Sequence, residues 1–148
     1  MGNRALITLK PLTKENKVIA VYVHWNGGIE SVKAICEVCK ARGFRTPAGD
    51  PEYALARFIG VWHEFFGVTD STSLGVMLMD WNNAKGYWSD NGVYTIGKDW
   101  EIAEHYLIKD DDSKENLGLK VPEDQVKRYE GIKNAMIKFG EKVAKIEI

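Results

Sequence analysis

The spacing of apolar and polar positions changes period several times along the chain, and each change predicts an element. Ala5 to Leu9 and Val18 to Trp25 are apolar, β-branched runs with a polar turn at Thr13 to Lys17, the pattern of two strands. Asn26-Gly27-Gly28 breaks the second run. The period then becomes helical, with Val32, Ile35, Cys36 and Cys39 on one face. Lys40 and Arg42 fall in the last turn of that helix, and Gly43 supplies a left-handed stop. A second helix is bounded on both sides. Asp50 is placed to cap it, Pro51 suits its first position, and Gly67 ends it. Leu55, Phe58, Ile59, Trp62, Phe65 and Phe66 recur between those bounds as a wide apolar stripe, which reads as core. Leu74 to Met79, Val93 to Ile96 and Glu101 to Ile108 read as further strands, with a short one at Tyr87-Trp88 and turn chemistry at Asp90-Asn91-Gly92.

The expected order is β-β-α-α-β-β-β-α. This is an α+β fold: an antiparallel β-sheet with two helices packed on one face, followed by a long C-terminal helix. Residues 1–109 would form the core domain, 110–121 an acidic linker, and 122–148 the helix that Pro122 opens. In that helix Tyr129, Ile132, Met136, Phe139, Val143 and Ile146 alternate by three and four. Two readings stay open for this stripe: packing on the domain's own elements, or a seam for a homodimer.

Composition narrows the function classes. A chain of 148 residues is long enough for one domain with a sizeable core. Its net charge of −1 argues against direct nucleic-acid binding, which calls for a basic excess. Met1 to Arg4 is not followed by an apolar signal region, and no run reaches transmembrane length, so the expected location is the cytosol, without membrane association. Neither a cofactor nor a metal is expected.

Several segments invite a chemical reading. Cys36 and Cys39 have redox or zinc spacing. The pair lies about two turns into its helix, however, away from the N-terminal dipole that would stabilise a thiolate, and no four-ligand set completes it. They read as small buried side chains. His63-Glu64 has Gly67 where a zinc protease needs its second histidine. Asp110 to Asp112 lack the spacing of a calcium loop. His24-Trp25-Asn26-Gly27-Gly28 passes from a strand end into a helix N-terminus, where free amides and glycines can receive an anion. Asp80, Trp81, Asn82, Asn83, Tyr87, Trp88, Asp90 and Asn91 put aromatic groups in a polar, turn-rich stretch, the composition of a partner-binding surface.

The segments Asn3-Arg4-Ala5, Val21 to Gly28 with Ser31-Val32, Gly43 to Pro47, Phe65-Phe66-Gly67 and Asp90 to Tyr94 with Trp100 also carry a resemblance. Between about Asn3 and Tyr106 the chain resembles a family of short uncharacterised proteins carried by Gram-positive bacteria, largely on phages and prophages. The resemblance implies a small accessory protein of a mobile element, acting in the host cytosol, and brings no catalytic residue with it. The expectation is an anti-defence inhibitor, of the anti-CRISPR kind among others. It would bind a bacterial defence protein or ribonucleoprotein complex and block it sterically. Two alternatives stand beside it: a protein that sequesters or hydrolyses a small phosphorylated ligand at His24 to Gly28, and a homo-oligomeric interaction module with no defence role.

Overall fold

The computed structural model describes residues 2–67, 74–85 and 90–146. It contains β1 (Ala5–Thr8), β2 (Lys17–Val23), α1 (Ile29–Ala41), α2 (Pro51–Phe66), β3 (Leu74–Asp80), α3 (Trp81–Ala84), β4 (Val93–Ile96), β5 (Ile102–Ile108), β6 (Lys114–Asn116) and α4 (Val126–Ala144). The fold is α+β. A six-stranded sheet runs in the order β3-β2-β1-β4-β5-β6, and all neighbours are antiparallel except β1 and β4. That parallel pair, Leu6 with Val93 through Thr8 with Thr95, departs from the antiparallel expectation. The chain leaves β3 at one end of the sheet and enters β4 at the other, so β4 runs alongside β1 in the same sense.

Two apolar layers follow from the period-2 alternation of the strands. Ala5, Ile7, Val21 and Val23 face α1, α2 and α4, while Leu6, Val18, Ala20, Met79, Val93 and Tyr106 face α3 and the segment around Leu12. β1 is central and buried on both faces, which is why none of its four residues is charged. In the α2 stripe Ala54, Phe58, Val61 and Trp62 are buried. Leu55, Ile59, Phe65 and Phe66 pack around them, half-buried. Asp50 accepts a hydrogen bond from the Tyr53 amide, as its capping position requires.

α4 is part of this core rather than an appendage. It lies along α1 with Ile132 and Met136 buried, and the two helices are laced by Arg128 with Glu30, Lys133 with Glu37 and the Tyr129 hydroxyl with Glu37. At the end of α1, Arg42 pairs with Glu64 of α2 at 2.7 Å and donates to the Met136 carbonyl at 2.9 Å. Gly140 is the residue that leaves room for it, since a Cβ there would stand 2.8 Å from the guanidinium Nε. The C-terminal stripe is therefore split. Its first half packs on the domain, whereas Phe139, Val143 and Ile146 stay exposed near and beyond the end of α1.

Part of the stretch expected as a solvated linker is paired with the sheet, although nearly all of it is exposed. After Asp112 the chain turns back, and Lys114–Asn116 pairs with β5 as an edge strand. Among the described residues no helix is long and apolar enough to cross a membrane.

Candidate functional site

The strand registers bring two separately predicted segments to one end of the sheet. β2 finishes there and runs into His24 to Gly28; β1 and β4 begin there, preceded by Asn3-Arg4 and Asp90-Asn91. The short segment Asn3-Arg4 stitches the two turns together. The Asn3 amide donates to the His24 carbonyl, and the Gly27 amide donates to the Asn3 carbonyl, both at 2.8 Å. The Asn91 amide and side chain both donate to the Arg4 carbonyl, and the Asn91 side chain also donates to Asn3 Oδ1. Arg4 donates to Asp90 from its backbone at 3.1 Å and from Nε at 3.0 Å. Those hydrogen bonds, more than the simple attraction of charges, hold Asp90 below its usual carboxylate range. On the far side of the turn Arg128 of α4 donates to Asn26 Oδ1 at 2.8 Å.

The two turns have the backbone their residues favour. Asn26 sits at φ +64° and Gly92 at φ +70°. Behind them the buried Tyr94 hydroxyl donates to the Gly27 carbonyl at 2.7 Å, and burial pushes its pKa up. His105 stacks on Tyr94, with Nε2 and Nδ1 at 2.7 and 2.9 Å from the carbonyl oxygens of Asn91 and Gly118. The resulting platform is rigid beneath and polar above, and one large apolar group stands on it. Trp25 is 44% exposed, with its ring held edge-on to His24, whose Nδ1 is 2.7 Å from the Tyr22 hydroxyl.

The same geometry weighs against an anion at His24 to Gly28. Gly27 is buried against backbone, and a Cβ on it would meet the Asn3 carbonyl at 2.5 Å. A Cβ on Gly28 would meet the carboxylate of Glu30 at 2.5 Å. The approach to the α1 N-terminus is thus filled by the chain's own carboxylate, and the glycines serve close packing rather than ligand access.

The predicted partner-binding set is divided by the fold. Asp90 and Asn91 belong to the platform, but Asp80 to Asn83 lie at the opposite end of the strands. Trp81 to Asn83 lie in α3 rather than in a loop. Asp80 caps it by accepting from the Asn83 amide at 2.8 Å. Trp81, expected as an exposed anchor, is only 7% exposed. It packs under the second face of the sheet and donates to Asp112, which also pairs with Lys85 at 2.7 Å. Asn82 and Asn83 are exposed. Tyr87 and Trp88 lie outside the described residues. Cys36 and Cys39 are buried and free, and burial raises both thiols, Cys39 to about 12, as small core side chains would be.

Asn3, Arg4, Tyr22, Tyr94, His105 and Arg128 belong to the platform but were not among the site residues expected from sequence. Tyr22 is two residues before His24, which directly follows β2, and extended backbone puts residues two apart on one side, so the period-2 rule could have paired them. Arg4 and Arg128 meet their partners across 86 and 102 residues, and no local pattern announces that. Comparison of the chain with protein-family models, with curated proteins and with solved structures found no match in any of the three.

Proposed function

We propose that the protein is a mobile-element-encoded binder that inhibits a bacterial defence factor, for example a CRISPR nuclease complex, by steric occlusion in the host cytosol. The defence target rests on the resemblance to phage and prophage proteins. The observation that carries the binding part is Trp25, an exposed tryptophan on a platform held from below and flanked by Arg4 with Asp90 and by Asn26 with Arg128. Tryptophan and arginine dominate hot spots: tryptophan brings a large contact area with only two side-chain torsions to order, and arginine a planar fork of hydrogen-bond donors that also stacks on aromatic rings. The contact surface is accordingly moved from the Trp81 region to the Trp25 end of the sheet.

The test is inhibition of a reconstituted nuclease complex by the wild type and by Trp25→Ala, with circular dichroism as the folding control. A hot spot of about 2 kcal/mol corresponds to roughly 30-fold weaker binding by the variant. Full inhibition by a folded Trp25→Ala would overturn the assignment of this surface. A phosphorylated small molecule found on the purified protein by native mass spectrometry would favour ligand sequestration instead.

A further inference from the structure

The two edges of the sheet are built differently. β6 is three residues long and reads Lys114-Glu115-Asn116, a short charged edge of the kind that discourages pairing with another chain. β3, at the other edge, is seven residues long and carries no charge from Leu74 to Met79. It pairs with β2 residue for residue, from Leu74 with Val23 to Asp80 with Lys17, with no bulge to twist it away. Among the described residues its other side has no strand. Val76 and Leu78 are 54% and 60% exposed on the helix-covered side of the sheet, and Ile19, opposite Leu78 on β2, is 47% exposed. An apolar groove continues from Leu78 and Ile19 to Leu9 and to Leu55 of α2.

We infer that β3 pairs with β3 of a second copy of this chain, joining two sheets into one of twelve strands about a two-fold axis through Met77. The strand is complementary to itself in that arrangement. Antiparallel pairing about Met77 sets Val76 of each copy opposite Leu78 of the other, on the same face, and brings no charge of Leu74 to Met79 against a like charge. With a net charge of −1, two copies have almost no long-range repulsion to overcome. The contrast between the edges selects a closed dimer: an open edge can pair with its twin, while the charged β6 edge stops head-to-tail growth into a filament. The contact is small beside the roughly 800 Å² per partner of a standard interface, so assembly falls in the micromolar range or weaker. This places self-association on β3 rather than on the C-terminal helix. It does not involve Trp25, so its failure leaves the proposal for that surface standing.

Light scattering on the full chain from about 10 to about 500 µM spans the range in which so small an interface assembles. The mass should rise from 16.7 kDa toward twice that value. Leu78→Lys and, separately, Val76→Lys should hold the chain monomeric throughout with unchanged circular dichroism, because both positions face solvent in a single copy. Met77→Cys should crosslink copy to copy on oxidation. A monomeric wild type at the highest concentration overturns the inference. So does a dimer that survives both lysine variants but is lost in Phe139→Asp with Val143→Asp, and a dimer whose Met77→Cys form does not crosslink overturns the pairing about Met77.

Discussion

Two glycines share one backbone conformation and differ only in what surrounds them, so substituting each with alanine separates conformational strain from steric conflict. Gly43 has φ +71° and Gly92 has φ +70°. At Gly43 the helix ends in a Schellman arrangement, with the Phe44 amide donating to the Cys39 carbonyl and the Gly43 amide to that of Lys40. A Cβ there meets nothing within 4 Å. Gly43→Ala should therefore cost only the left-handed penalty, about 1 kcal/mol. At Gly92 a Cβ would stand 2.2 Å from the Tyr106 carbonyl oxygen and 3.1 Å from the Leu107 side chain. The neighbour at the shorter distance is backbone of β5 and cannot rotate away, so β4 must shift by about an ångström to restore a normal contact. That shift strains the Leu6 amide bond to the Gly92 carbonyl and the pairing of Val93 with Tyr106. Each buried backbone hydrogen bond left unmade costs about 1–3 kcal/mol, which with the left-handed penalty brings Gly92→Ala to about 3–7 kcal/mol. Urea unfolding followed by tryptophan fluorescence measures both. With a slope near 2 kcal/mol/M the midpoint should fall by about 0.5 M for Gly43→Ala and about 2 M for Gly92→Ala. Equal midpoint shifts in the two variants would refute the steric argument, and with it the claim that the Asp90 to Gly92 turn is packed immovably against β5.

Trp81→Ala should lower stability by about 3–5 kcal/mol, since it empties a buried site, while inhibition per folded molecule stays unchanged; calorimetry paired with the inhibition assay checks this, and a stable variant defective in binding would restore Trp81 to an interface. Burial lowers His105 below its ordinary value of 6.5, with the Gly118 and Asn91 carbonyls opposing that shift. The unfolded chain then takes the proton first, so stability should fall as pH drops through about 6.5 and level off below the folded value. Chemical unfolding at a series of pH values should show this slope in the wild type and a flatter one in His105→Gln, and an undiminished slope in the variant would assign the effect elsewhere.

Much of this architecture could be read locally. Helices α1 and α2 announce themselves because capping chemistry, a glycine stop and a 3.6-residue apolar period act over a few neighbouring residues, and Asp50, Pro51 and Gly43 perform those roles in the structure. Strands β1 to β5 are legible for the same reason, since each needs only a short β-branched or apolar run with turns at its ends. The burial of Cys36 and Cys39 follows from their place on an apolar helix face. The sequence pattern also marked His24 to Gly28 and Asp90-Asn91 as unusual turns.

What the pattern could not settle was every feature that depends on long-range register. The parallel pairing of β1 with β4 arises from where the chain re-enters the sheet, not from any property of either strand. β6 is a polar triplet whose strand character is lent by its neighbour β5, so in isolation it reads as linker. Trp81 looks exposed beside Asp80, Asn82 and Asn83, but the second face of the sheet needs a cover and Trp81 provides it. Glycines at Gly27 and Gly28 suggest ligand access until the carbonyl of Asn3 and the carboxylate of Glu30 are seen filling the space. Sequence by itself determined the local elements, because caps, turns and apolar periods are short-range physics. Only the tertiary structure decided which surfaces remain open, because burial is a property of what the rest of the chain brings alongside.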